Sequence, residues 1–203
     1  MKEQYALAAI GLTALGAFLV SCAGTSPEST PSMSAPSAEA PPAARAEGNF
    51  AAWAEGNVAT TYNPDLVPLG AKAGAVVTVR GDGTETQLMV EGLMPNRHYG
   101  AHAHVKPCGA DGAAAGPHYQ DQVDPVTPSV DPAYANAKNE IWLDFRTDAQ
   151  GGASAVSSVD WKARGGEAQS ITIHENHTMT EAGKAGTAGV RLACLDVDFT
   201  PTQ

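Results

Sequence analysis

The feature that most constrains the fold is a succession of short strand-like segments separated by turns rich in glycine and proline. Between residues 141 and 147, apolar and polar side chains alternate with the period of two that is typical of a half-buried strand. Residues 75–80 and 84–90 flank a Gly-Asp-Gly sequence, a pattern that predicts a β-hairpin. Beyond the apolar N-terminal run, no stretch has the period of an amphipathic helix. The sequence therefore predicts an all-β domain.

About eight strands are expected, and some of their connections are long loops. The predicted strands span residues 58–62, 75–80, 84–90, 98–104, 141–147, 153–161, 170–175 and 190–199. This arrangement indicates an eight-stranded antiparallel sandwich or flattened barrel. The longest connection, residues 106–139, has no sustained period, and its prolines exclude a regular helix. Loops of that length in a compact domain are usually functional or disordered.

The N-terminal region differs in composition from the rest of the chain. Residues 5–20 form an uncharged apolar run that is short for a membrane span and is followed by Ser21 and Cys22. This segment resembles a bacterial lipobox, in which cleavage leaves the cysteine as the lipid-bearing N-terminus. We therefore predict a lipoprotein signal peptide over residues 1–21, a membrane anchor through lipid at Cys22, and a location in the cell envelope facing outside the cytoplasm. Plain secretion and an uncleaved anchor helix are the alternatives.

Residues 22–49 are rich in Pro, Ser and Ala and carry almost no large apolar side chain. Because such a segment cannot bury enough surface to offset its ordering entropy, we predict a disordered tether there. The folded domain is expected to occupy residues 50–203.

Charge and cysteine content restrict the partners and the compartment. The formal net charge of −10 argues against nucleic acid and against an anionic membrane surface as partners. The chain has three cysteines. If Cys22 carries lipid, Cys108 and Cys194 remain as a pair in an oxidising compartment, where a disulfide is expected.

The candidate chemistry is concentrated in residues 99–119, which contain His102, His104 and His118. In a strand, residues i and i+2 point to the same face, so the imidazoles of His102 and His104 can reach one metal ion. The six histidines of the chain fall either in and beside this stretch or around His174. The pattern predicts a metal site. Satisfied histidines on a strand face are the structural alternative.

Four motifs resemble those of the copper/zinc superoxide dismutase family. Residues 88–104 contain a Gly-Leu turn followed by Gly-x-His-x-His. Residues 114–119, 171–175 and 186–194 are similar to three further motifs and follow in the family's order. Each motif alone is weak, but the four in order make a specific resemblance that covers nearly the whole predicted domain.

The resemblance implies a Greek-key sandwich with Arg191 beside a copper ion and a disulfide between Cys108 and Cys194. The copper ligands that it implies are His102, His104, His118 and His174. Imidazole nitrogen is a suitable ligand for copper. The implied reaction is disproportionation of superoxide into oxygen and hydrogen peroxide, with Arg191 binding and orienting the anion.

The zinc site of the family is missing from the sequence. Residues 119–139, which would supply its histidines, contain none. A site built from the nearby carboxylates alone would lack the nitrogen or sulfur ligands that zinc normally takes; those carboxylates are Asp121, Asp124, Asp131 and Glu140. The chain thus resembles copper-only members, and zinc is not expected. Thr178 replaces an aspartate that orients a ligand in the family, so that role must pass to another group or be lost.

Other residues have weaker assignments. His177 lies three positions beyond His174 and is a candidate for an extra metal contact, whereas His98 is expected to be a surface side chain. Lys184 could attract an anion. A non-enzymatic copper-binding lipoprotein on the same scaffold remains the alternative function, followed by a metal-free structural sandwich.

Overall fold

The computed structural model describes residues 43–200. The described strands are β1 (Ala43–Asn49), β2 (Ala59–Thr61), β3 (Lys72–Arg80), β4 (Gly83–Glu91), β5 (His98–His104), β6 (Phe145–Arg146), β7 (Ala153–Val159), β8 (Ser170–His174) and β9 (Arg191–Asp196). A single turn of 3-10 helix spans Gly112–Ala115. Within the described range, no helix has the length and apolar character needed to cross a membrane.

The strands form two antiparallel sheets that pack against each other as a sandwich. One sheet has the order β1-β3-β4-β7 and the other the order β2-β9-β8-β5-β6. Both sheets contribute to the core: Val77 and Leu88 come from the first, Ile171 and Leu195 from the second, and all are almost completely buried. The all-β antiparallel sandwich confirms the predicted fold class. Over residues 43–200 the sheets remain two separate units, not a flattened barrel.

The predicted start of the domain at residue 50 is too late. Ala43–Asn49, which the composition predicts to be part of a disordered tether, forms edge strand β1 and pairs along its whole length with β3. Its sequence has no large apolar side chain, but every second residue is half-buried, and Ala46 packs against the core. Backbone pairing to a neighbouring strand therefore orders a segment whose composition predicts disorder. The remainder of the predicted tether, the signal peptide and Cys22 lie outside the described residues.

The predicted strand 141–147 is regular only at its end, in β6. Residues before β6 pair through isolated bridges, Gln120 with Glu140 and His102 with Trp142. Alternation correctly indicates an extended segment here.

Candidate metal centre

Pairing between β5 and its neighbours brings four histidines together. His102 and His104 lie on one face of β5. His174, the last residue of β8, pairs with Gly100 on that face, and His118 pairs with His104 through an isolated bridge. The register therefore directs all four side chains to one place. These are the four histidines that the family resemblance implies as metal ligands.

The four imidazoles are packed closely enough to share one ion. One ring nitrogen from each lies within 4.8 Å of one from every other. His102 and His104 have no exposed surface and His174 has 4% exposure, whereas the His118 side chain is 16% exposed. The group is thus buried on three sides and open at His118.

The hydrogen bonds of His102 determine which of its nitrogens is free. Its Nε2 is 2.6 Å from Thr178 Oγ1, which donates its single proton to Asp144 Oδ1 at 2.6 Å. The hydroxyl must therefore accept from Nε2–H of His102. Nδ1 of His102 keeps its lone pair, and it is buried without a hydrogen-bond partner among the described residues.

His104 and His118 have the opposite tautomer. Nδ1 of His104 donates to the carbonyl oxygen of Gly116 at 2.9 Å, and Nδ1 of His118 donates to Glu140 Oε2 at 2.7 Å. As neutral rings, both therefore present Nε2 lone pairs. The Nε2 atoms of His104 and His174 are only 3.4 Å apart. Two lone pairs at this distance repel each other unless a cation or a proton lies between them.

Burial keeps three of the four imidazoles neutral. Desolvation, reinforced by the nearby histidines, lowers the pKa of His102 and His104 well below the ordinary value of 6.5. Burial and the charge of His118 lower the pKa of His174 to about 3. Neutral imidazole is the form that binds a metal. The unpartnered His102 Nδ1 and the convergent lone pairs fit a transition-metal ion better than Ca²⁺ or Mg²⁺, which prefer oxygen ligands.

Glu140 has a role that the sequence did not reveal. Its carboxylate, on a residue with 1% exposure, accepts hydrogen bonds from His118 Nδ1, Trp142 Nε1 and Gln120 Nε2. Sequence reasoning considered Glu140 only as a possible zinc ligand. Here it orients the His118 ring and balances the N–H donors around it.

Asp144 fixes the position of Thr178. It accepts from both the hydroxyl and the backbone N–H of Thr178, and so holds the group that contacts His102. Asp144 was not a predicted site residue. The alternating pattern around Asp144 does not predict this contact, because its partner Thr178 lies 34 positions away in the chain.

Arg191 lies directly across from His174, as its pairing partner in β9. The guanidinium donates through Nη1 to the carbonyl oxygen of Gly112 at 2.7 Å. A Cβ at Gly112 would approach the Arg191 Cβ to 2.7 Å, so the absence of a side chain there allows this contact. Arg191 is half-buried and lines a cleft of about 640 Å³ together with His118 and His174. A small anion entering this cleft would meet its positive charge.

Solved structures similar to the chain include superoxide dismutases and related proteins. A double mutant and a single mutant of a superoxide dismutase-like protein from Bacillus subtilis match at 17% and 15% identity, each with a TM-score of 0.48. The matches cover 61% and 63% of this chain and 87% and 88% of those chains. The Cu/Zn superoxide dismutase from Brucella abortus matches at 17% identity and a TM-score of 0.47, over 78% of this chain and 98% of that chain. No protein-family model matches the chain, and no curated protein does.

The remaining predicted residues lie around this centre or away from it. Cys108 and Cys194 form a disulfide. His177 is outside the four-histidine group, 3.3 Å from Asp144 Oδ2, and its ring packs edge-on against the exposed His98. Lys184 is exposed and outside the cleft lining.

The predicted carboxylates other than Glu140 have local partners. Asp124 accepts from Ser129, and Asp121 pairs with Arg164. Asp131 accepts from the backbone N–H of Ala133. None of the three belongs to a group of potential metal ligands within residues 43–200.

Proposed function

We propose that the protein is a superoxide dismutase that uses one copper ion. The ligands are Nδ1 of His102 and Nε2 of His104, His118 and His174. The observation that carries the proposal is the convergence of four imidazoles, three of which direct an N–H outward to an oxygen acceptor, beside an arginine in an open cleft.

Bound copper supplies the one-electron chemistry by which two superoxide anions and two protons become oxygen and hydrogen peroxide. Arg191 attracts the anion and holds it beside His118 and His174. Glu140 keeps the His118 ring fixed at the open side of the centre. Asp144 and Thr178 fix His102 on the buried side. Burial of His102, His104 and His174 keeps these imidazoles unprotonated and available as ligands.

The experiment couples metal content with activity. The purified protein is loaded with copper, its copper content is measured by mass spectrometry, and superoxide decay is followed with and without added zinc. We expect one copper per chain and a rate proportional to copper content. His104→Ala should lose copper, whereas His98→Ala, which changes an exposed histidine outside the group, should retain it. Arg191→Gln should retain copper and react more slowly.

Copper storage is the second candidate, because three of the four ligands are almost completely shielded from solvent, which favours retention of an ion. One copper per chain with no more dismutation than the metal-free protein would support storage and reject the enzyme.

We also propose that lipid at Cys22 anchors the protein in the cell envelope. A Cys22→Ala protein that remained in the membrane fraction would reject that anchor.

A further inference from the structure

The cleft above the metal centre is much larger than a diatomic anion needs. Its volume is about 640 Å³. One water molecule, comparable in size to superoxide, takes roughly 30 Å³ of liquid volume. Pockets of about 300–1,000 Å³ are typical of sites for small organic ligands. The proposed reaction therefore does not account for the size of this cleft.

Part of the cleft lining is apolar. Val123 and Val126 line it and are 70% and 65% exposed, and Pro128 and Val105 extend the same lining. Single exposed apolar residues are ordinary on a protein surface. Here two large ones face one concave space that leads to His118 and Arg191. This arrangement provides an apolar contact surface beside a cation.

The other charged groups of the cleft are already paired. Arg164 donates to Glu167 and to the backbone oxygens of Asp121 and Gln120. Asp124 accepts from Val126 N and Ser129 Oγ. Glu140, described above, accepts from three donors.

Arg191 differs from these groups. Among the described residues, its guanidinium makes one hydrogen bond, through Nη1. A guanidinium has five N–H donors, so Arg191 has donors left for a planar carboxylate.

We propose that the cleft binds an organic monocarboxylate with an apolar body about the size of one aromatic ring. The carboxylate pairs with Arg191, and the apolar body lies against Val123 and Val126. The ligand uses the same cleft as the proposed dismutation but needs no metal. While bound, it covers Arg191 and competes with superoxide.

The test uses the full chain in metal-free form, with phenylacetate and acetate as probes. Binding is measured by calorimetry and by NMR shifts. We expect one saturable phenylacetate site, with an affinity at least tenfold higher than that for acetate. Val123→Ser with Val126→Ser should lower the phenylacetate affinity about tenfold and leave that for acetate unchanged, whereas Arg191→Gln should weaken both. Val156→Ser is the matched control, because Val156 is 58% exposed and lies on β7, outside this cleft.

Equal affinities for the two probes, or no effect of the valine substitutions, would overturn the inference. Self-association by sedimentation that disappears in the valine variant would also overturn it, since a second copy of the chain would then occupy the cleft. Phenylacetate binding by a protein without dismutase activity would reject the proposed function alone. An active enzyme that does not bind phenylacetate would reject this inference alone.

Discussion

At the scale of single residues, the groups behind each histidine decide which nitrogen can hold a metal. Thr178 selects one tautomer for His102 and Gly116 selects the opposite tautomer for His104, although these two histidines are neighbours on one face of β5. A ligand set read from the sequence identifies the residues but not these atoms. The atoms follow from hydrogen bonds to a hydroxyl, a carbonyl and a carboxylate that come from other parts of the chain.

Glu140→Gln tests the carboxylate behind His118. The substitution preserves volume but replaces an acceptor oxygen with an NH₂ group. Because both carboxylate oxygens accept N–H bonds, the new donor faces another donor in either orientation. We expect copper affinity, measured by competition with a chelator, to fall about 10–100-fold. Glu91→Gln, which alters an exposed ion pair with Lys72, should have no effect. Unchanged affinity in Glu140→Gln would show that His118 does not need this partner.

Thr178→Val tests the link to His102. Valine keeps the branched shape but removes the hydroxyl that accepts from His102 Nε2–H, so Asp144 no longer fixes the ring through that hydroxyl. We expect a loss of copper affinity on the order of 10-fold or more. Thr178→Ser retains the hydroxyl and should bind copper nearly as well as the parent. Equal losses in the two variants would attribute the effect to packing instead of the hydrogen bond.

The depressed histidine pKa values also predict how the stability of the metal-free protein depends on pH. Below the ordinary value of 6.5, the unfolded chain binds protons that the folded chain does not, since burial lowers the pKa of His102, His104 and His174. Unfolding free energy therefore falls as pH drops below 6.5, by up to about 1.4 kcal/mol per pH unit for each histidine. For His174 this loss continues down to about pH 3.

Urea unfolding of chelator-treated protein between about pH 5 and pH 8 measures this dependence. His174→Gln should reduce the dependence of the unfolding free energy on pH by about the contribution of one histidine. His98→Asn, at an exposed position, should leave it unchanged. A parent protein equally stable at both ends of this range would contradict the assignment of buried neutral imidazoles.

At the scale of elements, alternation predicted the strands with large apolar side chains, because such strands need one buried face. It missed β1, which is held by pairing with β3 and not by apolar burial of its own. The sequence also could not place Glu140 and Asp144, whose partners lie 22 and 34 positions away. Those contacts join segments that are distant in the chain, which local patterns do not specify.

Gly100→Ala tests how the loop after β8 packs on β5. A Cβ at Gly100 would lie 2.6 Å from the backbone oxygen of Asn176 and 2.8 Å from the Ala188 Cβ. The loop must move away, and it carries Thr178. We expect the unfolding free energy, measured in urea, to fall by about 1–3 kcal/mol, together with a loss of copper affinity. Gly165→Ala is the matched control, since its added Cβ would meet nothing within 4 Å. Equal stability of the two variants would show that the loop adapts without strain.

At the scale of the whole molecule, the segment from Val105 to Gly116, which includes the 3-10 helix, is held by three contacts that bear on the centre. Cys108 is bonded to Cys194 of β9, Gly112 accepts from Arg191, and Gly116 accepts from His104. One fastening is covalent, one involves the residue proposed to bind the anion, and one fixes a proposed ligand. The disulfide therefore stabilises the folded chain and also holds in place the segment that contacts Arg191 and His104.

A Cys108→Ser/Cys194→Ala protein should lose both stability and metal affinity. The disulfide joins residues separated by 86 positions, and constraint of the unfolded chain by such a loop corresponds to about 4–5 kcal/mol, with measured losses of about 2–5 kcal/mol for native disulfides. We expect a loss in that range by urea unfolding, and weaker copper binding because Gly116 is less firmly held against His104. A thiol reductant should cause the same losses in the parent and no further change in the double variant. If stability falls while copper affinity is unchanged, the disulfide supports the sandwich alone, and the hydrogen bonds of Gly112 and Gly116 suffice to hold the segment at the centre.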